Sequence, residues 1–155
     1  NGVVVTQGKQ HYDNHTSIEH VAAHCDSEET YRNIAADESH AVFNGRIHIH
    51  EDAQKSNANM NNKNLLLSTG AEIDTKPELE IYADDVKCAH GATIGQLDRI
   101  SLFYLVSRGI GRREANTLLT MAFINELVEQ IPVQAVKDAA QLRLNEFFDQ
   151  TFQEA

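Results

Sequence analysis

The sequence predicts a mainly β fold with a smaller α part: strands through residues 1–97 and a helical domain over 98–155. Three observations carry this. Short apolar or alternating runs recur up to Gln96, with polar turns every ten residues or so. Hairpin signals between neighbouring runs are scarce, Asn44-Gly45 being the one good candidate. From Asp98 onward the apolar spacing changes to the 3.6-residue period of helices. Many short strands suit a sandwich, a barrel or a solenoid; the scarcity of hairpins favours stacked coils, that is, a parallel β-helix.

Taken in order, Val3–Thr6 reads as the first strand, and Thr16–Ala23 as the second, with Ile18 and Val21 apolar. Tyr31–Ala36 and Ala41–Ile49 follow, with Asn44-Gly45 as a turn. Residues 51–63 are polar and contain Asn57, Asn59, Asn61 and Asn62, a composition that predicts an exposed loop. Leu65-Leu66-Leu67 suits a strand buried on both faces. Glu72-Ile73-Asp74 begins another strand, which Thr75-Lys76-Pro77 is expected to break.

The densest chemistry lies in Pro77–Gln96. Leu79 and Ile81 alternate with Glu78, Glu80 and Tyr82. Val86, Cys88 and His90 alternate with Lys87, Ala89 and Gly91. Side chains i, i+2 and i+4 share one strand face, so a thiol and an imidazole stand side by side.

Asp98 is a good N-cap for a first helix whose face is Ile100, Phe103, Tyr104 and Leu105 and which Gly109 ends. A second helix is predicted over 112–130, with Ala115, Leu118, Ala122, Phe123 and Leu127 as its stripe. Pro132 separates it from a third over 133–148, carrying Val136, Ala140, Leu144 and Phe147. Residues 149–155 are expected to fray.

Composition excludes several classes. A formal net charge of −10 argues against nucleic acid and anionic membrane surfaces, and Arg108, Arg112 and Arg113 form the only basic cluster. No apolar run approaches the roughly 20 residues of a spanning helix. Cys25 and Cys88 make no disulfide framework and point to free thiols in a reducing cytoplasm. The chain starts at Asn1, without Met, and enters a strand-like run directly, so the C-terminal part of a longer protein is expected.

Several residue sets could carry chemistry. Cys88 and His90 are of the ligand types that hold zinc or iron–sulfur centres, and also suit a Cys–His dyad; the structural alternative is a buried Cys and a His bonded at a strand end. His48-x-His50 can chelate a metal on a strand, as in cupin-like barrels, but Gln54 stands where that motif needs Glu. A metal-dependent enzyme using His48, His50 and His90 is the rival functional reading. His11, His15, His20, His24 and His40 read as scattered surface imidazoles. Asp84 and Asp85, with Glu78 and Glu80, read as a turn rather than an acid–base pair.

The run LLLSTGAEIDTKPELEIYADDVKCAHGATIGQLD, then LFYLVSRGI, resembles the C-terminal part of the SufB/SufD family, the scaffold subunits of SUF iron–sulfur cluster assembly. TKPELEIYADDVKC.HGAT is closer to its SufD branch; VFNGRI and DAQKS.A also fit, and the resemblance covers roughly residues 14–131. It implies a right-handed parallel β-helix followed by a helical C-terminal domain, and a non-enzymatic role. It implies pairing with SufB, or with a second copy, through the end of the β-helix. It implies docking of the SufC ATPase through the helices, here Phe103, Tyr104, Arg108, Gly109, Ile110 and Arg112. It implies that no cofactor is held stably by the chain alone and that an iron–sulfur cluster sits transiently at the interface. The family's functional SufD histidine maps onto His90, a possible metal ligand, with Cys88 two residues before it. Earlier coils of the family have no counterpart in these 155 residues.

Overall fold

The computed structural model describes residues 1–151, with side chains through Phe148. It is a solenoid of about three turns followed by three helices. The chain forms two compact units, Asn1–Gly95 and the remainder from Gln96. The strands are β1 (Gly2–Thr6), β2 (His11–His20), β3 (Asp26–Ala35), β4 (His40–Ile49), β5 (Asn57–Leu66), β6 (Glu72–Ile81) and β7 (Lys87–Gln96). The helices are α1 (Arg99–Ser107), α2 (Arg112–Val128) and α3 (Gln134–Thr151). Strands of odd number form one sheet in the order β1-β3-β5-β7, and those of even number the other, β2-β4-β6. The β1–β3, β3–β5, β2–β4 and β4–β6 ladders are all parallel. Each coil thus gives one strand to each sheet. The register steps by 29 residues (His11 to His40), 31 (Asp26 to Asn57) and 32 (His40 to Glu72).

Alternation sets the inside of the solenoid. In β4, Ala41, Phe43, Gly45, Ile47 and Ile49 are buried, and every residue between them is half-buried. Phe43, Ile47 and Ile49 join Ala53, Ala58, Met60 and Ala83 in the main core, against which Ile18, Tyr31, Leu79, Val86 and Cys88 are packed. Each fully buried large side chain there is worth roughly 1.5–3 kcal/mol. A second cluster at the other side of the coils holds Ala35, Ala41, Ala71 and Ile73.

Several sequence expectations are corrected. Residues 57–66 form β5, not a loop, because Asn62 and Asn64 face inward and bond each other. Asn33 Nδ2 donates to Asn64 Oδ1 (2.8 Å), Asn64 Nδ2 to Asn62 Oδ1 (2.5 Å), and Thr75 Oγ1 to Asn62 Oδ1 (2.7 Å). Asn33, Asn64 and the Asn62 carbonyl are bonded in this way inside the solenoid, whereas Asn62 Nδ2 has no protein partner. Asn44-Gly45 is not a turn but the middle of β4. A Cβ on Gly45 would lie 2.7 Å from Met60 Sδ and 2.9 Å from Phe43 Cζ, so glycine is there for close packing. Thr75-Lys76-Pro77 does not break β6, which runs through it opposite Asn44 and Gly45. The second strand lies earlier than Thr16–Ala23, leaving Val21 exposed in the corner, and the third begins at Asp26, five residues before Tyr31.

The helices fall where the pattern places them, but their faces differ. Asp98 caps α1, accepting from the amides of Ile100 (3.3 Å) and Ser101 (2.9 Å). Gly109 follows at φ +89°, the left-handed residue that ends a helix, and Ile110 N donates back to Leu105 O (3.3 Å). No residue of α1 is buried. In α2 the buried stripe is Ala115, Thr120, Ile124, Leu127 and Val128, whereas Leu118 and Ala122 are exposed. In α3, Val136 is exposed while Phe148 is buried. Residues 149–151, expected to fray, continue α3; positions 152–155 lie outside the described residues.

Candidate functional site

The site grows out of β7, the last strand of its sheet. Lys87 N donates to Ser56 O (3.0 Å), so the amides of Lys87, Ala89, Gly91 and Thr93 turn toward β5. Those of Cys88, His90, Ala92 and Ile94 turn to the other side, where no strand is paired among the described residues. The side chains of Cys88 and His90 share the inward face with Val86, about 7 Å apart along the strand. Val86 and Cys88 pack against the main core, but among the described residues no further coil closes over the strand, and His90 is exposed. Burial pushes the Cys88 thiol up, opposed by a weaker hydrogen bond with the backbone of Ala58. The thiol is therefore poorly poised as a thiolate in this chain alone, and a Cys–His dyad gains nothing from its surroundings. Cys88 also lines an open groove of about 810 Å³ with Asp26, Glu28, Asn57, Asn59 and Lys87; His90 lies outside it. The rim of this end carries Ile81, Tyr82 and Ile94, all exposed.

His48 and His50 lie elsewhere, on the outer face of the β2-β4-β6 sheet. Their rings are 4.4 Å apart. A single oxygen, Glu80 Oε2, contacts His48 Nδ1 (2.7 Å) and accepts from Arg46 Nε (3.0 Å) and a terminal Arg46 nitrogen (2.8 Å). The Arg46 guanidinium and then His48 hold the Glu80 carboxyl down at about 2. His50 faces Glu19 at 3.7 Å. The two imidazoles thus belong to an ion-pair network, not to a chelate. Among the described residues no group of three His, Cys, Asp or Glu side chains could hold a metal ion, which removes the geometric basis of the metal-enzyme reading. Arg46, which organises this network, is a lone cation in an alternating strand and carries no sequence signal of its role.

The other histidines do not converge. His11 stacks edge-on against His40 (4.8 Å), and His40 contacts Asp74 (2.8 Å); His15 contacts Asp13 (2.9 Å). His20 is buried inside the solenoid, not scattered on its surface, and bonds Ser27 Oγ (2.8 Å). His24 occupies a corner at φ +62°, and Cys25 N donates to Ser56 Oγ (3.2 Å). Both cysteines are free. Asp84 and Asp85 sit in an exposed bend, where Asp85 N is held by Gln54 Oε1 (2.9 Å), and Glu78 pairs with Lys76 (3.0 Å).

In the helical unit, Phe103 and Tyr104 are exposed, and the Arg108 guanidinium lies 5.1 Å from the Tyr104 ring centroid. Arg112 is exposed at the start of α2 and Ile110 half-buried before it. No helix among the described residues is long and apolar enough to cross a membrane.

Comparison with known proteins points to one family. The family model described as SUF system FeS cluster assembly, SufBD core domain, matches residues 1–123. The iron–sulfur cluster assembly protein SufD of Escherichia coli K12 is 43% identical over 134 residues, 86% of this chain and 32% of the relative. SufD of Bacillus subtilis is 36% identical over 135 residues, 87% of this chain and 31% of the relative. A SufBD family protein of Synechocystis is 41% identical over 135 residues, 87% of this chain and 30% of the relative. The chain spans about a third of the length of these relatives. A solenoid of parallel strands that carries the KC.HGAT signature on its last rung, matched along most of its length, places this chain in the SufB/SufD family, on the SufD side.

Proposed function

We propose that this chain is part of a non-enzymatic scaffold subunit of SUF iron–sulfur cluster assembly, acting in the cytoplasm. Its open β7 end pairs with SufB or with a second copy, and its helices dock the SufC ATPase. The observation that carries the reading is the position of His90, an exposed imidazole on an inward-turned strand face that no further coil covers among the described residues. A partner strand laid on the free amides of Cys88, His90, Ala92 and Ile94 would bring its own side chains beside that imidazole. The cluster is then cargo held between two chains, with His90 as ligand or proton-active group and Cys88 as its half-buried neighbour. Two free cysteines suit a reducing compartment.

The test is His90→Ala in a reconstituted SufB–SufC–SufD complex, with the cluster followed by its visible absorption. Unchanged unfolding with at least tenfold slower cluster formation is expected; normal formation would sink the assignment. For SufC, the exposed Phe103, Tyr104, Arg108 and Arg112 around the α1–α2 turn, with Gly109 and Ile110, are the contact. Phe103→Glu with Arg112→Glu should abolish co-purification with SufC, and binding that survives both changes would move the dock elsewhere.

A further inference from the structure

Three polar atoms inside the first full coil, on β2 and β3, are shielded from solvent and lack a hydrogen-bond partner: Thr16 Oγ1, His20 Nδ1 and Glu29 Oε2. His20 and Glu29 are 3% and 4% exposed. The ring of His20 reaches across the interior to Ser27 Oγ through its other nitrogen, at 2.8 Å. Glu29 is two residues past Ser27 and shares its face, so its carboxylate and the free Nδ1 of His20 open into one space.

The neighbouring coil shows how wide that space is. Thr16 stacks on Gly45, and Glu29 on Met60. Met60 crosses the interior until its sulfur would lie 2.7 Å from a Cβ at Gly45. Glu29 starts from the equivalent point but faces Thr16, which has the Cβ and hydroxyl that Gly45 lacks. A carboxylate extended as far as Met60 would meet that hydroxyl, yet Thr16 Oγ1 and Glu29 Oε2 make no bond with each other or with anything else. They therefore make no direct hydrogen bond, and a third group between them is needed to satisfy both.

Whatever fills the gap must donate to a carboxylate oxygen and also suit an imidazole nitrogen and a hydroxyl. No Lys or Arg occupies an inward position of any strand. Two ionisable ligand groups are too few for a divalent ion, and no such group of three is present among the described residues. Water meets all three demands and is the usual partner of otherwise unsatisfied buried groups. We propose that the first full coil is a water-binding site, with at least one long-lived molecule bridging Glu29, His20 and Thr16. The polar interior is then continuous with the Asn33–Asn64–Asn62 chain rather than interrupted by it.

The test is magnetisation transfer from water to the Ile18 methyl groups in the whole chain; Ile18 is next along the inward face of β2 between Thr16 and His20. Cross-peaks of the sign given by a long-lived bound water are expected, retained in Glu29→Gln and lost in Thr16→Val combined with Glu29→Met. Absence of the cross-peaks in the unsubstituted chain, or their persistence at full strength in the double variant, would overturn the site. If the double variant does not fold, a crystal structure of the unsubstituted chain decides. Water density within about 3.2 Å of both Glu29 Oε2 and His20 Nδ1 supports the site, and a direct contact between those atoms refutes it.

Discussion

The two strands that finish the solenoid, β6 and β7, each border one sheet, yet they are built to opposite ends. In β6, Glu72 N and Tyr82 N donate to Ser39 O and Ile49 O of the β4 side. Even-numbered amides therefore turn inward along the ladder, and odd-numbered ones face the open edge. Pro77 falls on an odd position, so its missing N–H costs the sheet nothing and removes a donor from the edge. Lys76, Glu78 and Glu80 add charge beside it. This is how natural sheets discourage unwanted pairing. In β7 no proline interrupts the edge, two glycines stand in open space, and the free amides belong to Cys88, His90, Ala92 and Ile94. One border is closed to strand addition and the other is left available, beside Cys88 and His90.

That contrast can be broken at defined positions. Gly91→Pro should have the largest effect, because the Gly91 amide belongs to the β5 ladder. Loss of that bond and an orphaned acceptor should destabilise the chain by about 2–3 kcal/mol, read from denaturant midpoints. Ala92→Pro, one residue on, should cost less than about 1 kcal/mol but weaken pairing through this edge by roughly tenfold or more, read by sedentation of concentration series in the ultracentrifuge. Equal destabilisation by both prolines would mean the edge assignment of β7 is wrong. Pro77→Val should leave stability nearly unchanged, restore a donor to the β6 edge, and raise self-association there.

The smallest effect concerns the charge beside Pro77. Glu80 titrates at about 2 when folded, against an ordinary 4.5, so the stability it lends is complete above pH 4.5 and fades as pH falls toward 2. Glu80→Gln should flatten the loss of thermal stability across that interval and leave the curve above pH 5 parallel to that of the unsubstituted chain. An unchanged acid slope would show that the Arg46 and His48 contacts do not persist in solution.

The same parity explains what could be seen in the sequence. Alternation identified the shared face of Cys88 and His90, which depends only on the two-residue period, whereas β4 is expected over Ala41–Ile49 with a turn inside it. The helices announced themselves by Asp98, Gly109 and the change of period. Asparagine misled twice: Asn62, with Asn57, Asn59 and Asn61, is read as a loop former, but in a stack of coils an amide can bond the amide one rung away, as Asn33 bonds Asn64. Asn44-Gly45 has hairpin chemistry, yet Gly45 answers to Met60, which is fifteen residues away and invisible to any local window. Pro77 is a strand breaker only where its N–H is needed. His48 and His50 had the spacing of ligands, but Arg46 and Glu80 claim that face. The helix faces at Leu118 and Val136 were misjudged because a stripe records apolar spacing, not what covers it.

The register has a kinetic consequence. Each rung of these ladders joins residues about thirty positions apart, and no hairpin supplies a nearer contact. A single coil therefore has no ladder of its own and cannot serve as a nucleus; two must close together, at the entropic expense of a thirty-residue loop. After that, each added coil meets a finished template. Folding should accordingly be slow to start and quick to propagate, and the speed-limiting substitutions should cluster in the central coils, around Phe43, Met60 and Ile47, rather than at the β7 end.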